Sequence, residues 1–313
     1  METMHAVRGH RRGGPERLRY EVAPRPAPGA GEVLVEVRSA SITPGELDWD
    51  ATWTDSLDSG GALRLPIVPS KELSGVVARV GADVTGWQEG DDVFGLIPFT
   101  CDGAAADFTA VPAGVLAPKP PELDYDQAAA LPLSGLTAWQ ALVRHGGLRE
   151  GQRVLVHGGA GGVGCCAVQI AAALGATVAA TASAQDTAFV RELGAERVVD
   201  YANERFEEQL ADMDLVLDTV GGDTQTRSWQ VLSPGGTLVS VASPPAAEGP
   251  GGARGVFFVV EPDRGDLDEL SRLVTAGRLT PLVARVVPLS EAGAAYTALD
   301  QPHRRGKTVL KVS

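Results

Sequence analysis

The stretch VLVHGGAGGVGCCAVQIAAALG, Val154 to Gly175, places six glycines around and inside the junction of two apolar segments. Its centre, Gly159-Ala160-Gly161-Gly162-Val163-Gly164, reads G-x-G-x-x-G. Such a motif is informative only after a buried strand and before a helix, which is the setting here. The first glycine permits a tight turn. The second lets backbone approach a pyrophosphate with no Cβ in the way, and the third lets helix and strand pack closely. Free N–H groups at the helix start then face an anion. The rhythm continues downstream: TVAAT, RVVDY, DLVLDTV, GTLVSVA and GVFFVV read as strands, with helical segments between the earlier ones. That alternation predicts an α/β unit with a parallel sheet covered on both faces.

A site for NAD usually places an acidic residue about 20 positions on, at the tip of the second strand, to hold the ribose 2′-hydroxyl. Here Thr181, Ala182 and Ser183 occupy that tip. An uncharged tip tolerates a 2′-phosphate and favours NADP(H). Asp186 complicates this reading, because no Lys or Arg stands beside it in sequence; Ser183 to Asp186 has capping-box spacing, so Asp186 could serve its own helix instead. Tyr201, ending the third strand, offers either a hydroxyl to the phosphate or an ordinary aromatic at the sheet edge.

The first third differs in texture. EVLVEVRSASI, SGVVARVGADV and GDDVFGLIPF are short strands punctuated by Gly and Pro, as in a compact β-rich unit, and DQAAALPLSGLTAWQALVRHG reads as helical. With 27 basic against 40 acidic residues the net charge is −13, which argues against a nucleic-acid surface. The basic cluster RGHRRGGPER reads as a solvated loop. Three cysteines (Cys101, Cys165, Cys166), no apolar leader in METMHAVRGH and no membrane-length apolar run lead us to expect a cytoplasmic protein without disulfides or membrane contact.

Taken in order, GDDVFGL, AAALPLSGLTAWQAL, VLVHGGAGGVG, VVDY, VLDTVGG, LSPGGTLVSVASP and RGKTVLKV resemble the medium-chain dehydrogenase/reductase superfamily, and within it the zinc-free, zeta-crystallin-like quinone oxidoreductases. The resemblance covers nearly the whole chain. It implies a Rossmann domain, a doubly wound parallel sheet, inserted in a GroES-like β-rich catalytic domain. The expected division is 1–122 and 279–313 for the catalytic domain and 123–278 for the Rossmann domain. It also implies NADPH, with substrate in the cleft between domains. By the same resemblance Thr137 lies beside the nicotinamide, and Gly162 and Val163 donate to the pyrophosphate. Ser183 and Tyr201 form the 2′-phosphate pocket, without the usual basic partner near Ser183. Val241, Ala242 and Ser243 pass the nicotinamide ring, and Lys307 stands near the cofactor's edge. GVFFVV corresponds to the edge strand through which dimers join, so a homodimer through Val256–Val260 is expected.

Zinc-dependent relatives need Cys and His ligands and a four-Cys lobe. Here Thr43 stands for the cysteine and Lys71 for the histidine, and His5, His10, His145, His157 and His303 show no ligand spacing, so no metal is expected. Lys71, Glu46 and Glu72 are expected to cluster where the metal would sit, either as an ion pair bracing the cleft or with Lys71 donating to a substrate carbonyl. Without a Lewis acid, hydride delivery to a conjugated C=C or quinone is easier than to a simple carbonyl, because charge spreads into an enolate. Thr43, Lys71 or backbone would then hydrogen-bond the enolate oxygen, and water can supply the proton, since no residue stands out as a dedicated acid. Trp49 and Trp53 read either as a flat wall for the acceptor or as packing. The leading expectation is an NADPH-dependent enone, enoyl or quinone reductase. Two others stay open: a reductive cyclase of a natural-product intermediate, and a non-catalytic NADPH-binding protein.

Overall fold

The computed structural model describes residues 2–57, 60–300 and 305–313. Glycine- and proline-spaced strands build the first domain. A hairpin of β1 (Thr3–Gly9) and β2 (Leu18–Pro24) flanks a larger sheet. That sheet holds β3 (Glu32–Ile42), β4 (Glu72–Val80), β5 (Asp92–Leu96), β6 (Phe108–Pro112) and β7 (Leu116–Pro118). The second sheet is all parallel. Its strands are β8 (Arg153–Val156), β9 (Thr177–Ala182), β10 (Arg197–Asp200), β11 (Met213–Asp218), β12 (Leu232–Ser240) and β13 (Arg254–Phe257). Their spatial order is β10-β9-β8-β11-β12-β13, so the chain reverses direction between β8 and β11. In open α/β sheets, the crevice at that reversal, outside the strands' carboxyl ends, is where ligands bind. The last strands, β14 (Val283–Pro288) and β15 (Lys307–Lys311), return to the first domain, where β15 pairs antiparallel with β3. The fold is the expected Rossmann sheet inserted in a GroES-like β domain.

Two local expectations need correction. The segment from Asp126 to Gly146 is not one helix. Pro132 removes a backbone donor, and the chain forms Tyr125–Ala129, then Pro132–Trp139 with Pro at its start, then a widened turn over Gln140–His145. The dimer strand is also shorter than Val256–Val260. It leaves the sheet after Phe257, where pairing with β12 ends at Ser240.

Each domain has its own apolar core, one around Val33, Val35, Leu73 and Ile97, the other around Leu136, Val154, Val168 and Leu217. His157, just past β8, is fully buried between the hydroxyls of Thr181 (3.1 Å) and Ser228 (2.9 Å), with Phe206 against its ring. Burial drives its pKa from the ordinary 6.5 down to about 4. The unfolded chain therefore binds a proton that the fold rejects between those values. Stability is expected to fall as pH drops through this window, by up to about 3 kcal/mol. Unfolding at several pH values should show the slope, and His157→Gln should flatten it.

Candidate functional site

The turn after β8 explains its glycines in physical terms, with one change of role. The left-handed residue is Gly158 (φ 69°), not Gly159, whose Cβ would press on Ala180 and Val190 at 3.0 Å. Gly161 is the N-cap of the helix Gly162–Ala173 and offers no side-chain cap. A Cβ on Gly164 would stand 2.1 Å from the Gly158 carbonyl oxygen, so only glycine lets the helix sit this close to the turn. Cys165 and Cys166 follow on the buried side, and burial pushes both thiols up, that of Cys166 to about 12.

Above the turn lies a cavity of about 300 Å³, lined among others by Thr43, Leu133, Ser134, Gly162, Thr219 and Lys307. The whole run Gly161–Gly164 borders it. A Cβ on Gly162 would come within 3.2 Å of the Ser134 hydroxyl and 3.3 Å of Lys307 Cδ. This is a cradle of bare backbone at a helix start, and it fits a pyrophosphate.

Strand register supplies the opposite wall. Thr308 of β15 faces Ile42 of β3, which brings Lys307 beside Thr43. Ser41 faces Glu72 of β4, which brings that carboxylate under both. Lys307 Nζ lies 2.5 Å from Glu72 Oε2 and donates to Thr43 Oγ1 at 2.6 Å. The Lys307 and Glu72 side chains are 7% and 0% exposed. Glu72 Oε1 also accepts from the Leu133 backbone N–H at 3.0 Å, tying β4 to the first turn of the next domain's leading helix.

Of the expected Lys71–Glu46–Glu72 cluster, Lys71 and Glu46 lie buried close enough to attract each other, while Glu72 pairs elsewhere. Among the described residues no ion pair joins Lys71 to either carboxylate. Lys71 is buried and donates to the Cys101 carbonyl, and burial draws its pKa down to about 8 against the attraction of Glu46. Glu46 is buried too. It accepts from Ser70 N–H, Thr43 N–H and the Tyr296 hydroxyl, and desolvation raises its pKa. Its part is to brace the turn that carries Thr43. Successive side chains along an extended segment point to opposite sides, so Lys71 and Glu72 could not both face the cleft. Trp53 is fully buried, donates to the Leu47 carbonyl and is packing, not wall. Trp49 is half-buried, edge-on to Phe99. Thr137 is buried one turn beyond Leu133, with its hydroxyl donated to the Leu133 carbonyl, and does not line the cavity. Val241, Ala242 and Ser243 follow β12 at the same sheet edge. Val241 N–H bonds the Asp218 carbonyl, and the next two N–H groups bond Ser240 Oγ. The buried Asp218 in turn accepts from the N–H groups of Val220 and Gly221.

The residue missed in sequence is Arg305. The expectation that no basic group stands near Ser183 and Asp186 is wrong: Arg305 Nε lies 2.7 Å from Asp186 Oδ1. Ser183 donates to Asp186 Oδ2 at 2.8 Å but makes no cap bond, so the anticipated capping box is absent. Tyr201 is exposed next to them, its N–H bonded to the Ala182 carbonyl. The sequence distance of 119 residues hides the Arg305 contact.

The donor set where zinc relatives bind metal is a hydroxyl, an ammonium and a carboxylate, which does not fit a zinc site. Among the described residues no group of three or more His, Cys, Asp or Glu side chains could hold a metal; His303 lies outside them. No helix among them is long and apolar enough to cross a membrane.

A doubly wound sheet with a glycine cradle, facing a β domain across a cleft, defines a two-domain oxidoreductase architecture. A family profile described as alcohol dehydrogenase GroES-like domain matches residues 29–121, and one described as zinc-binding dehydrogenase matches 193–310. The chain is 33% identical to the mitochondrial NAD(P)H oxidoreductase RTN4IP1 of Mus musculus, over 90% of this chain and 82% of that one. It is 34% identical to the chloroplastic NADPH-dependent alkenal/one oxidoreductase of Arabidopsis thaliana, over 89% and 72%. The quinone oxidoreductase structure from Coxiella burnetii superposes with a TM-score of 0.89 at 32% identity, covering 100% of both chains. This chain belongs to the medium-chain dehydrogenase/reductase superfamily, in its zinc-free branch, and is an oxidoreductase.

Proposed function

We propose that this chain is an NADPH-dependent reductase that works without zinc and delivers hydride to the conjugated double bond of an enone or to a quinone. The observation that carries this reading is the cavity bounded on one side by bare glycine backbone and on the other by Thr43 and Lys307. When bound, the reduced nicotinamide supplies the hydride. The rest falls to the chain. Backbone N–H groups of Gly162, Val163 and Gly164 hold the pyrophosphate, and Ser183, Tyr201 and Arg305 surround the adenosine 2′ position. Thr43 accepts from Lys307 at 2.6 Å and gives its own hydrogen to Glu72 Oε2 at 3.5 Å, a long contact that a closer acceptor would displace. Thr43 then donates to the acceptor's carbonyl oxygen as negative charge develops there, and the Lys307 ammonium behind it strengthens that bond in a water-poor site. Of the two readings of Lys71, donation to the substrate carbonyl passes in this proposal to Thr43, with Lys307 behind it.

The test is consumption of NADPH by metal-depleted protein against a panel of small enones and quinones. Turnover supports the reading. Stoichiometric zinc, or silence with every acceptor despite tight NADPH binding, sinks it.

The homodimer through the end of the Rossmann sheet belongs to the same proposal. β13 is an edge strand, and Phe257 at its end and Val259 just beyond it are exposed apolar residues. Ala247 and Glu248 already pair with its outer edge at Gly255 and Arg254, so the apolar end at Phe257 is the part proposed to join a second copy. Phe257→Lys is expected to halve the mass measured by light scattering. The three free cysteines suit a reducing compartment, proposed as the cytoplasm, although RTN4IP1 carries a mitochondrial designation. Cell fractionation decides between them.

A further inference from the structure

We propose that Asp186 narrows the preference of this chain for NADPH over NADH by neutralising the 2′-phosphate pocket from within. This rests on the reading that a nicotinamide nucleotide occupies the cleft with its adenosine ribose at the tip of β9. At that tip Ser183 donates to one Asp186 oxygen at 2.8 Å, and Arg305 Nε donates to the other at 2.7 Å. Arg305 also donates to the Gln185 carbonyl at 2.9 Å and lies over the Phe189 ring, 4.7 Å from its centre. The guanidinium is thereby held in place on three sides, with its side chain 48% exposed, while that of Asp186 is 8% exposed.

A 2′-phosphate would draw on the Ser183 hydroxyl and the Arg305 guanidinium. Both already address a carboxylate, so the incoming anion meets a fixed negative charge alongside its positive partner. A ribose with a free 2′-hydroxyl brings no charge and avoids that opposition. The net attraction that separates the two nucleotides is therefore small, and the residue that makes it small is Asp186. Arg305 reaches this place because Gly306 and Lys307 follow it into β15, so one short segment links the 2′ pocket to the catalytic wall.

Dissociation constants of NADPH and NADH, measured by nucleotide fluorescence at low ionic strength, test the proposal on the intact protein. The unaltered chain is expected to bind the two within about tenfold of each other. Asp186→Asn keeps the shape and one acceptor oxygen for Arg305, turns the other contact into a donor toward the Ser183 hydroxyl, and removes the charge. It is expected to tighten NADPH about tenfold and to leave NADH within about twofold, with the gain shrinking in high salt. Asp186→Ser serves as a second variant if the first folds poorly, with the same direction expected. An unchanged NADPH-to-NADH ratio in the folded variant overturns the proposal, as does a thousandfold preference for NADPH in the unaltered chain. A chain that binds neither nucleotide overturns the nicotinamide reading itself, and that result is distinct because no ratio can then be measured.

Discussion

Lys307→Met is expected to slow turnover about a hundredfold and to lower stability by about 3–5 kcal/mol. The stability loss follows from burial. The variant leaves Glu72, whose side chain is 0% exposed, without its counter-charge. Stripping one partner from a buried pair generally has an effect of that size. The loss of rate follows from the Thr43 hydroxyl, which would no longer be polarised from behind; removing an oxyanion donor lowers kcat by about 10²–10³. The two effects separate in the double variant Lys307→Met/Glu72→Gln. It removes both charges, so most of the stability should return while turnover stays slow. Denaturant unfolding and NADPH-oxidation kinetics on both proteins check this, and a stable, fully active single variant would refute the proposed role.

Gly164→Ala is the second large effect. Its methyl would meet the Gly158 carbonyl oxygen at 2.1 Å and Gly159 Cα at 2.9 Å, both backbone atoms of the turn itself. Relief requires the helix to move off the turn, which spoils the N–H array facing the cavity. Nucleotide affinity is expected to fall at least about a hundredfold, and stability by about 1–3 kcal/mol, the usual penalty of overpacking. Gly114→Ala is the control, because a Cβ there meets nothing within 4 Å. It should be neutral to within about 0.5 kcal/mol. Thermal unfolding and nucleotide titration of the two variants distinguish this steric account from a general intolerance of substitution.

The nucleotide half of the site was legible because its information is local. A strand, a glycine turn and a helix occupy one continuous stretch, and the bare backbone can be read from the glycine spacing without knowing the partner strands. The first-domain half was only partly legible. Thr43 and Lys307 were both singled out, but from separate considerations and with different roles. The sequence points to Lys71 as the cleft lysine because it stands where zinc relatives have their histidine, whereas the resemblance puts Lys307 at the cofactor's edge. Alternation along the chain shows that only one of Lys71 and Glu72 can face the cleft; which one depends on the turn at Ser70, where φ is 71°. Trp53 was similarly ambiguous, since an aromatic in a loop can line a cleft or fill a core, and Leu47 accepts its N–H inside.

By itself, the sequence determined the architecture and the place of the dinucleotide. Hydrophobic period and glycine position act over a few residues and survive without tertiary detail. Only the tertiary structure decided which charges meet. Lys307 reaches Thr43 across 264 positions and Arg305 reaches Asp186 across 119. Those contacts exist because β15 docks on β3 in one register, and a shift of one residue would turn Lys307 to the other face. Electrostatic contacts of this range are set by how strands pair, which no local pattern encodes.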